Sequence, residues 1–227
     1  MKAAFSIFRY FPYGGVQRDL AATAQALQTH GFEITIFCDR ASGDAPEGCR
    51  LVELPVRGWS NHARARSFER LFREATDREA FDVKVGFNRM AGLDLYFAGD
   101  DCLARRWRHK AFLRHFIPRI SVFLALEKAV MEPGGAPVIL TLTARQEADY
   151  ERFYHTDPAR FRRLGPGVNR RFYSLDRSPE NRAAIRAGLG IGPDELLLIQ
   201  VASSFRTKGV DRVLALLDRY RNIRGAK

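Results

Sequence analysis

Residues 2–38 read KAAFSIFRYFPYGGVQRDLAATAQALQTHGFEITIFC. The first nine of them, rich in Phe and Ile, predict a strand, and Phe11–Gly15 predict a turn. Apolar residues at helical spacing predict a helix over Val16–Thr29, which Gly31 closes as a carboxyl-terminal cap. EITIFC at Glu33–Cys38 predicts a second strand. The order strand, helix, strand is the repeating unit of a parallel sheet.

The alternation of strands and helices continues along the chain. We therefore expect an α/β fold, with a parallel sheet that carries helices on both faces. Pro118 lies inside the longest helical pattern and predicts a kink or a restart there. The further predicted strands are Leu51–Val56, Val83–Phe87, Leu93–Ala98 and Val138–Leu142, and the further helices are Ala65–Thr76, Leu103–Met131 and Ala144–Tyr154.

The composition changes after Leu164, which predicts a domain of residues 1–164 and a linker of residues 165–178 rich in Gly, Pro and Arg. Residues 179–227 then predict a helix at Pro179–Gly188, a buried strand at Leu196–Ala202 (LLLIQVA) and a helix at Gly209–Tyr220. Such a unit cannot bury its own apolar face. We therefore expect the chain to hold only the start of a second domain.

The overall composition is that of a soluble globular protein. Of the 227 residues, 46% are hydrophobic and 28% charged, which excludes a disordered chain. The net charge of +11 favours a polyanionic partner: nucleic acid, anionic lipid or a phosphorylated sugar. The three cysteines show no CxxC spacing, which argues against zinc and against a disulfide framework. Since no apolar run is long enough to span a bilayer, we expect a cytoplasmic protein with at most peripheral membrane contact.

Two glycines follow the first strand and open the first helix. Gly14 and Gly15 allow a ligand to approach the backbone, and the free N–H groups of a helix start suit an anion. A tight turn explains the pair equally well. The motif is not GxGxxG, so a dinucleotide is a poor candidate. Asp19, expected in the first turn of this helix, is also placed favourably in the helix dipole.

An acidic pair ends the apolar stretch that includes Leu93–Ala98. Ligands of open α/β sheets bind at the carboxyl ends of the strands. Asp100 is therefore a candidate base or a group that orients a hydroxyl. An ordinary turn-forming aspartate is the alternative.

A basic stretch with aromatic residues begins at Leu103. It favours contact with an anionic membrane surface. Core packing of the apolar face is the alternative, and nucleic-acid binding is a third reading that no helix-turn-helix, RNA-recognition or zinc-finger pattern supports. The candidate contact residues are Arg105, Arg106, Trp107, Arg108, Lys110, Phe112 and Phe116.

Cations also follow the predicted strand LLLIQVA. The segment SSFRTKG at 203–209 places Arg206 and Lys208 at a strand-to-helix turn, which suits a phosphate. It lacks the GKS/T ending of a P-loop, so a nucleoside triphosphatase is not expected. The histidines show no metal-ligand spacing.

Taken in order, these motifs resemble one family. The chain contains FRYFPYGGVQRDL, PVRGWSNH, VGFNRMAGLDLYFAGDDC, ALEKAVME, RFRRLGPGV and LLLIQVASSFRTKGVDR. Together they are similar to the bacterial lipopolysaccharide core glucosyltransferase I, a heptose-specific α-1,3-glucosyltransferase of glycosyltransferase family 4. The resemblance implies the GT-B fold of two Rossmann-like domains. It also implies glucose transfer from UDP-glucose to an inner-core heptose with retention of configuration and without a metal.

The resemblance also implies roles for residues of this chain. Gly14 and Gly15, with Asp19 at the same helix start, would approach the donor diphosphate. Lys208 matches the family's diphosphate-binding lysine, and Arg206 stands one place before a position where relatives often carry a base. Asp100 matches an aspartate of the strand-end motif and would be catalytic.

The basic stretch matches the region that seats these enzymes on the cytoplasmic face of the inner membrane. We expect a nucleotide sugar, the heptose acceptor and that membrane surface as partners, and no nucleic acid. The family's paired glutamates, which bind the donor from the second domain, would lie beyond residue 227. This departure leaves a non-catalytic module that binds anionic lipid or lipopolysaccharide as the alternative.

Overall fold

The computed structural model describes residues 1–109, 116–165, 174–202, 205–206 and 208–224. The chain divides into two compact units, Met1–Gly167 and Val168–Lys227. Each unit is described by itself.

The first unit is built on a seven-stranded sheet in which all neighbouring strands pair in parallel. The strand order is β3-β2-β1-β4-β5-β6-β7. This order places β1 and β4 at the centre, so the chain reverses direction of winding between them, and ligands of such sheets bind at that point. The strands are β1 (Lys2–Tyr10), β2 (Glu33–Ala41), β3 (Cys49–Glu53), β4 (Val83–Gly86), β5 (Leu95–Phe97), β6 (Val138–Thr141) and β7 (Phe161–Arg163).

Five helices connect the strands, and local capping explains where several of them begin. The Ser60 hydroxyl accepts a hydrogen bond from the Ala63 amide at the start of α2. Thr143 and Gln146 form a capping box at the start of α5. Pro118 occupies the first position of α4, where its missing N–H costs nothing. The helices are α1 (Gly15–Gln28), α2 (Asn61–Arg78), α3 (Leu103–Trp107), α4 (Pro118–Met131) and α5 (Ala144–Tyr154).

Both faces of the sheet are buried, as expected for a parallel sheet covered by helices. Phe5 of β1 points to the face covered by Leu20 of α1. The next strand position with a large side chain on the opposite face is Phe8, whose ring lies 5.1 Å from that of Phe68 on α2. Phe72, one helical turn further along α2, is also buried in this second layer. The alternation of side chains along β1 thus divides the core into two layers.

The prediction of an α/β fold with a parallel sheet is confirmed, and the predicted strands and helices of residues 2–98 are found with small shifts of their ends. Further along, the restart predicted at Pro118 is confirmed, because α4 begins there. The first part of the expected helical stretch Leu103–Met131 is α3, which ends at Trp107, and residues 110–115 lie outside the described residues. Edge strand β7 was not predicted from the sequence. Its three residues, two of them arginines, are too few for a recognisable alternation.

Edge strand β7 is tied to the rest of the unit by the residue that precedes it. The Arg160 guanidinium donates hydrogen bonds of 2.6–3.0 Å to carbonyl oxygens at and just beyond the end of α4. A helix end leaves its last carbonyls without partners, and a cation there is favourable. Arg160 therefore fixes the end of α4 against the edge of the sheet.

The second unit contains helices α6 (Pro179–Gly188) and α7 (Val210–Arg224). The predicted strand Leu196–Ala202 is wrong, because its backbone forms no ladder in the described part of this unit. Its apolar side chains are exposed, from 36% at Leu197 to 95% at Val201. A strand needs a neighbour for its hydrogen bonds, and the described residues of the second unit offer none.

Candidate functional site

A cleft of about 500 Å³ lies at the carboxyl edge of the sheet, where the central strands end. It is lined by the end of β1, the starts of α1 and α2, and the loops that follow β4 and β5. Its polar lining includes Arg9, Gln17, Asp39, Arg64, Arg89 and Asp100. Chain segments from both sides of the β1–β4 centre meet here, which is the expected place for a ligand.

The glycine turn directly precedes Val16 and Gln17, which line the cleft. A Cβ atom at Gly14 would overlap the Gln17 amide and come within 2.9 Å of the Phe11 ring. That amide donates a 2.9 Å hydrogen bond to the Arg9 carbonyl oxygen. A Cβ atom at Gly15, by contrast, would meet nothing within 4 Å. Gly14 is therefore explained by packing inside the protein, whereas the space beside Gly15 is open at the start of α1.

The structure places Asp19 differently from the other predicted donor residues. Because α1 begins at Gly15, Asp19 lies in its second turn and not in the first. Its side chain is exposed and does not line the cleft, although Val16 and Gln17 do. Partial burial raises the pKa of Asp19, an effect that Arg18 opposes.

An ion pair forms the opposite wall of the cleft. Asp39, at the end of β2, accepts hydrogen bonds from Arg64 through both carboxylate oxygens, with 3.0 Å between Nε and Oδ2. The two side chains are only 10% and 24% exposed. Such a bidentate pair holds both groups in one plane. It gives this wall fixed acceptors and donors for a polar ligand.

Arg89 and Asp100 face the cleft from the loops after β4 and β5. Arg89 Nη1 lies 3.6 Å from Asp100 Oδ2, and Arg89 Nη2 donates a 2.8 Å hydrogen bond to the Asp101 carbonyl oxygen. The Arg89 side chain is 15% exposed and that of Asp100 is 79% exposed. The carboxylate of Asp100 is thus open to a ligand, beside a guanidinium that is largely buried.

Arg89 stays protonated at neutral pH although its side chain is largely buried. Burial by itself would lower the pKa of this guanidinium, but the neighbouring Glu127 and Asp100 carboxylates offset that effect and raise it. Burial raises the pKa of Tyr96, which also lines the cleft, to about 12. At neutral pH the cleft therefore contains a charged arginine and a protonated phenol.

The loop that carries Asp100 is held by the capping residue of α5. Gln146 Nε2 donates hydrogen bonds of 2.9 Å and 3.0 Å to the carbonyl oxygens of Ala98 and Asp100. Its Oε1 accepts from the amides of Leu142 and Thr143. One buried amide side chain therefore joins the loop after β5, the loop after β6 and the start of α5.

The basic stretch divides into inward and outward residues. Arg105 forms an ion pair of 3.2 Å with Asp149 of α5. Arg106 and Arg108 are exposed, and Trp107 is half-buried. The described neighbours of the stretch also include Phe116, which is 80% exposed. Lys110 and Phe112 lie outside the described residues.

In the second unit, Arg206 and Lys208 lie on the turn that precedes α7. Both are exposed, and the Lys208 carbonyl oxygen accepts a 3.0 Å hydrogen bond from Gln200. Gly209 follows with a φ of +70°, a left-handed conformation that favours glycine. The turn therefore presents two cations at a helix start, as the sequence predicted.

Over the described ranges, no three His, Cys, Asp or Glu side chains lie together as a metal site would require. The helices described by the structure are likewise too short or too polar for any of them to cross a bilayer.

Comparison with known proteins identifies the relatives of this chain. It is 36% identical over 218 residues to the lipopolysaccharide glucosyltransferase WaaG of Escherichia coli (strain K12), and the match covers 96% of the chain. A crystal structure of WaaG, a glycosyltransferase involved in lipopolysaccharide biosynthesis, superposes with a TM-score of 0.85 and 35% identity over 94% of the chain. The chain is a homologue of the glycosyltransferase WaaG. It spans 58% of the length of WaaG.

More distant structures share the fold of WaaG. A sucrose-phosphate synthase from Thermosynechococcus elongatus aligns with a TM-score of 0.58 and 15% identity, and covers 86% of the chain. At this identity the likeness concerns the fold alone. No family model matches the chain. The predicted family resemblance and its GT-B fold are confirmed by the match to WaaG.

Several residues of the cleft and of its support were not singled out from the sequence. Arg64, Arg89 and Gln146 are ordinary in type and lie on three different segments. Arg89 stands within the motif GFNRMAG that carried the family resemblance, which is the one signal that could have found it. Arg64 reaches the cleft through the packing of α2, and Gln146 supports the Asp100 loop through the cap of α5, neither of which a local pattern reveals.

Proposed function

We propose that this chain supplies the acceptor-side domain and the start of the donor-side domain of a retaining glucosyltransferase. The reaction transfers glucose from UDP-glucose to a heptose of the lipopolysaccharide inner core, without a metal ion. The observation that carries the proposal is a polar cleft at the carboxyl edge of the sheet, lined by Val16 and Gln17 at the start of α1, in a homologue of WaaG.

By resemblance to the family, one helix start in each unit is assigned to the donor diphosphate. The unpaired N–H groups of the first turn of α1 face an anion that enters the space beside Gly15. Arg206 and Lys208, exposed at the start of α7, would offset the charge that grows on the leaving diphosphate as the sugar–phosphate bond breaks. Asp19 lies in the second turn of α1 and would act only through the electrostatic potential at the start of that helix.

The acceptor would occupy the cleft between Asp100 and the Asp39–Arg64 pair. The exposed Asp100 carboxylate can accept a hydrogen bond from the attacking hydroxyl and orient it, which is the catalytic role proposed for it. The planar Asp39–Arg64 pair offers acceptors and donors to neighbouring hydroxyls of the sugar ring. Arg89 supplies a buried cation beside Asp100.

The protein would work on the cytoplasmic face of the inner membrane as a peripheral protein. Arg106 and Arg108 are exposed on and just after α3, and exposed Phe116 lies before α4. Cations near an anionic surface each contribute about 1 kcal/mol, and aromatic side chains favour the interface. Trp107, together with Lys110 and Phe112 of the sequence motif, belongs to the same proposed contact.

The test is glucose transfer by a fusion of the whole chain with the part of WaaG that follows the matched region. The purified fusion is incubated with UDP-[¹⁴C]glucose and lipopolysaccharide from a strain of E. coli that lacks WaaG. WaaG itself and the Asp100→Asn fusion are the positive control and the matched variant. We expect label in the core with the fusion and strongly reduced label with the variant. A folded fusion that binds the lipopolysaccharide but transfers no glucose would contradict the proposal and support a non-catalytic binding module.

A further inference from the structure

A fully buried carboxylate, that of Glu127, contacts both the cleft residue Arg89 and the start of α3. The Glu127 side chain, on α4, is 0% exposed. Buried carboxylates are stable only when they are paired and hydrogen-bonded, so each of its contacts has a structural consequence.

One set of contacts holds the start of α3. Glu127 accepts hydrogen bonds from the Leu103 amide, at 2.8 Å and 2.9 Å, and from the Ala104 amide at 3.0 Å. These are N–H groups of a helix start, which have no partners within their own helix. A carboxylate is the most favourable partner for them because of the helix dipole. The five-residue helix α3 is therefore fixed at its beginning by a side chain from α4.

A second contact reaches the wall of the cleft. Glu127 Oε1 lies 2.9 Å from Nε of Arg89, an ion pair rather than an aligned hydrogen bond. Arg89 in turn lies 3.6 Å from the Asp100 carboxylate and donates to the Asp101 carbonyl oxygen. The position of the guanidinium beside Asp100 therefore depends on the carboxylate behind it.

We propose that Glu127 is a positioning residue whose single buried carboxylate holds both the Arg89 guanidinium in the cleft and the first turn of α3. Its role in the reaction rests on the proposed function, because Arg89 and Asp100 are assigned there to the acceptor side. Through Glu127, the position of α3 is coupled to the geometry of the acceptor cleft. A displacement of α3 moves the partner of Arg89, and a change at Arg89 alters the cap of α3.

The molecule offers a matched control. The Tyr154 hydroxyl donates a 2.6 Å hydrogen bond to Glu127 Oε2, on the side away from Arg89. Tyr154→Phe removes this bond and leaves both couplings, whereas Glu127→Gln removes the charge that pairs with Arg89. Glu127→Gln removes the buried counter-charge of Arg89 and leaves only the exposed Asp100 carboxylate at 3.6 Å. The double variant Glu127→Gln/Arg89→Met therefore provides a form in which this poorly compensated buried charge is absent.

The first readout is steady-state kinetics of the fusion described above. Glu127→Gln is expected to raise the KM for the lipopolysaccharide acceptor by about tenfold or more, since small misplacements of a site residue can cost up to about 100-fold. The KM for UDP-glucose should stay within about twofold of the unmodified fusion. The double variant should melt at a higher temperature than Glu127→Gln, but its KM for the acceptor should stay raised. Tyr154→Phe should lower the melting temperature and leave the KM for the acceptor unchanged. Equal effects of Glu127→Gln on both KM values, or recovery of the acceptor KM in the double variant, would overturn the proposal.

The second readout does not require transferase activity and is made on the chain itself. Amide hydrogen exchange is measured at Leu103–Ala104 and across residues 99–101, and acrylamide quenching of Trp107 is measured in a Trp59→Phe background. The chain has two tryptophans, and Trp59 is fully exposed, so its replacement should be harmless. We expect Glu127→Gln to speed exchange at both segments and to increase quenching, while Tyr154→Phe changes neither. Faster exchange confined to α3 would refute the coupling whether or not the fusion transfers glucose.

Discussion

The two adjacent glycines of the first turn should respond in opposite ways to the same added methyl group. At Gly14, which has an extended backbone, the methyl overlaps the Gln17 amide and crowds the Phe11 ring. Moving Gln17 breaks its hydrogen bond to Arg9, so we expect Gly14→Ala to cost about 0.5–1.5 kcal/mol. Gly15 is the first residue of α1, and its methyl meets nothing. Gly15→Ala should therefore stabilise the fold by about 0.4–1 kcal/mol, through a less flexible unfolded chain.

Donor binding should invert this order of effects. The space beside Gly15 is where the diphosphate would approach the N–H groups of α1, so a methyl there excludes the ligand and leaves the protein intact. Loss of one such donor contact typically lowers kcat by about 10²–10³. The assays are urea unfolding of the chain and UDP-glucose kinetics of the fusion with WaaG. The reasoning is refuted if Gly15→Ala destabilises the chain, or if it is stabilised and the fusion keeps full activity with UDP-glucose.

Three further predictions concern charge. In vesicle sedimentation with anionic lipid, Arg106→Gln should lower the partition constant about fivefold, for a contribution of about 1 kcal/mol. Arg105→Gln should lower it less, because that cation is already paired with Asp149. Equal effects of the two variants would argue against the proposed membrane contact. Lys208→Ala should leave the melting temperature unchanged and lower kcat of the fusion by about 10²–10³, and full activity would remove this lysine from the donor site. Burial raises the pKa of the Cys38 and Cys102 thiols from 9.0 to about 12. Their contribution to the free energy of unfolding is therefore complete below pH 9 and is lost as the pH rises toward 12. Urea unfolding between pH 7 and pH 11 should show this decline, and a constant free energy of unfolding would contradict the prediction.

The sequence was most informative where each local pattern agreed with the final packing. The stretch from Lys2 to Cys38 combines strand alternation, a glycine turn and a helical period, and the structure contains all three elements. The alternation along β1 also foreshadows the two core layers, with Phe5 and Phe8 on opposite faces. Local propensity and tertiary packing favour the same conformation there, so the prediction did not depend on distant contacts.

The prediction failed where distant contacts decide the structure. LLLIQVA has a strong strand pattern, but a strand forms only beside a partner, and the described residues of the second unit contain none. Of the residues singled out from the sequence, Asp100 lines the cleft, and the glycine turn directly precedes the lining residue Val16; their roles stay predictions. The supporting residues Arg89, Glu127 and Gln146 were not found, because their roles depend on contacts between distant parts of the chain: Arg89 meets Glu127, and Gln146 meets the carbonyl oxygens of Ala98 and Asp100. Only the folded arrangement shows which of many arginines and glutamates lie together.

The Gln146 amide has a consequence for attempts to change the sugar that the cleft is proposed to accept. Exchanging the Asp100 loop with that of a relative, as is common in specificity engineering, would leave this amide facing carbonyl oxygens at altered positions. The same side chain accepts hydrogen bonds from the amides of Leu142 and Thr143 at the start of α5, so a shifted Gln146 would lose these bonds as well. The transferable module is consequently the loop together with α5, and a library that varies the two jointly should retain far more folded members than one that varies the loop alone.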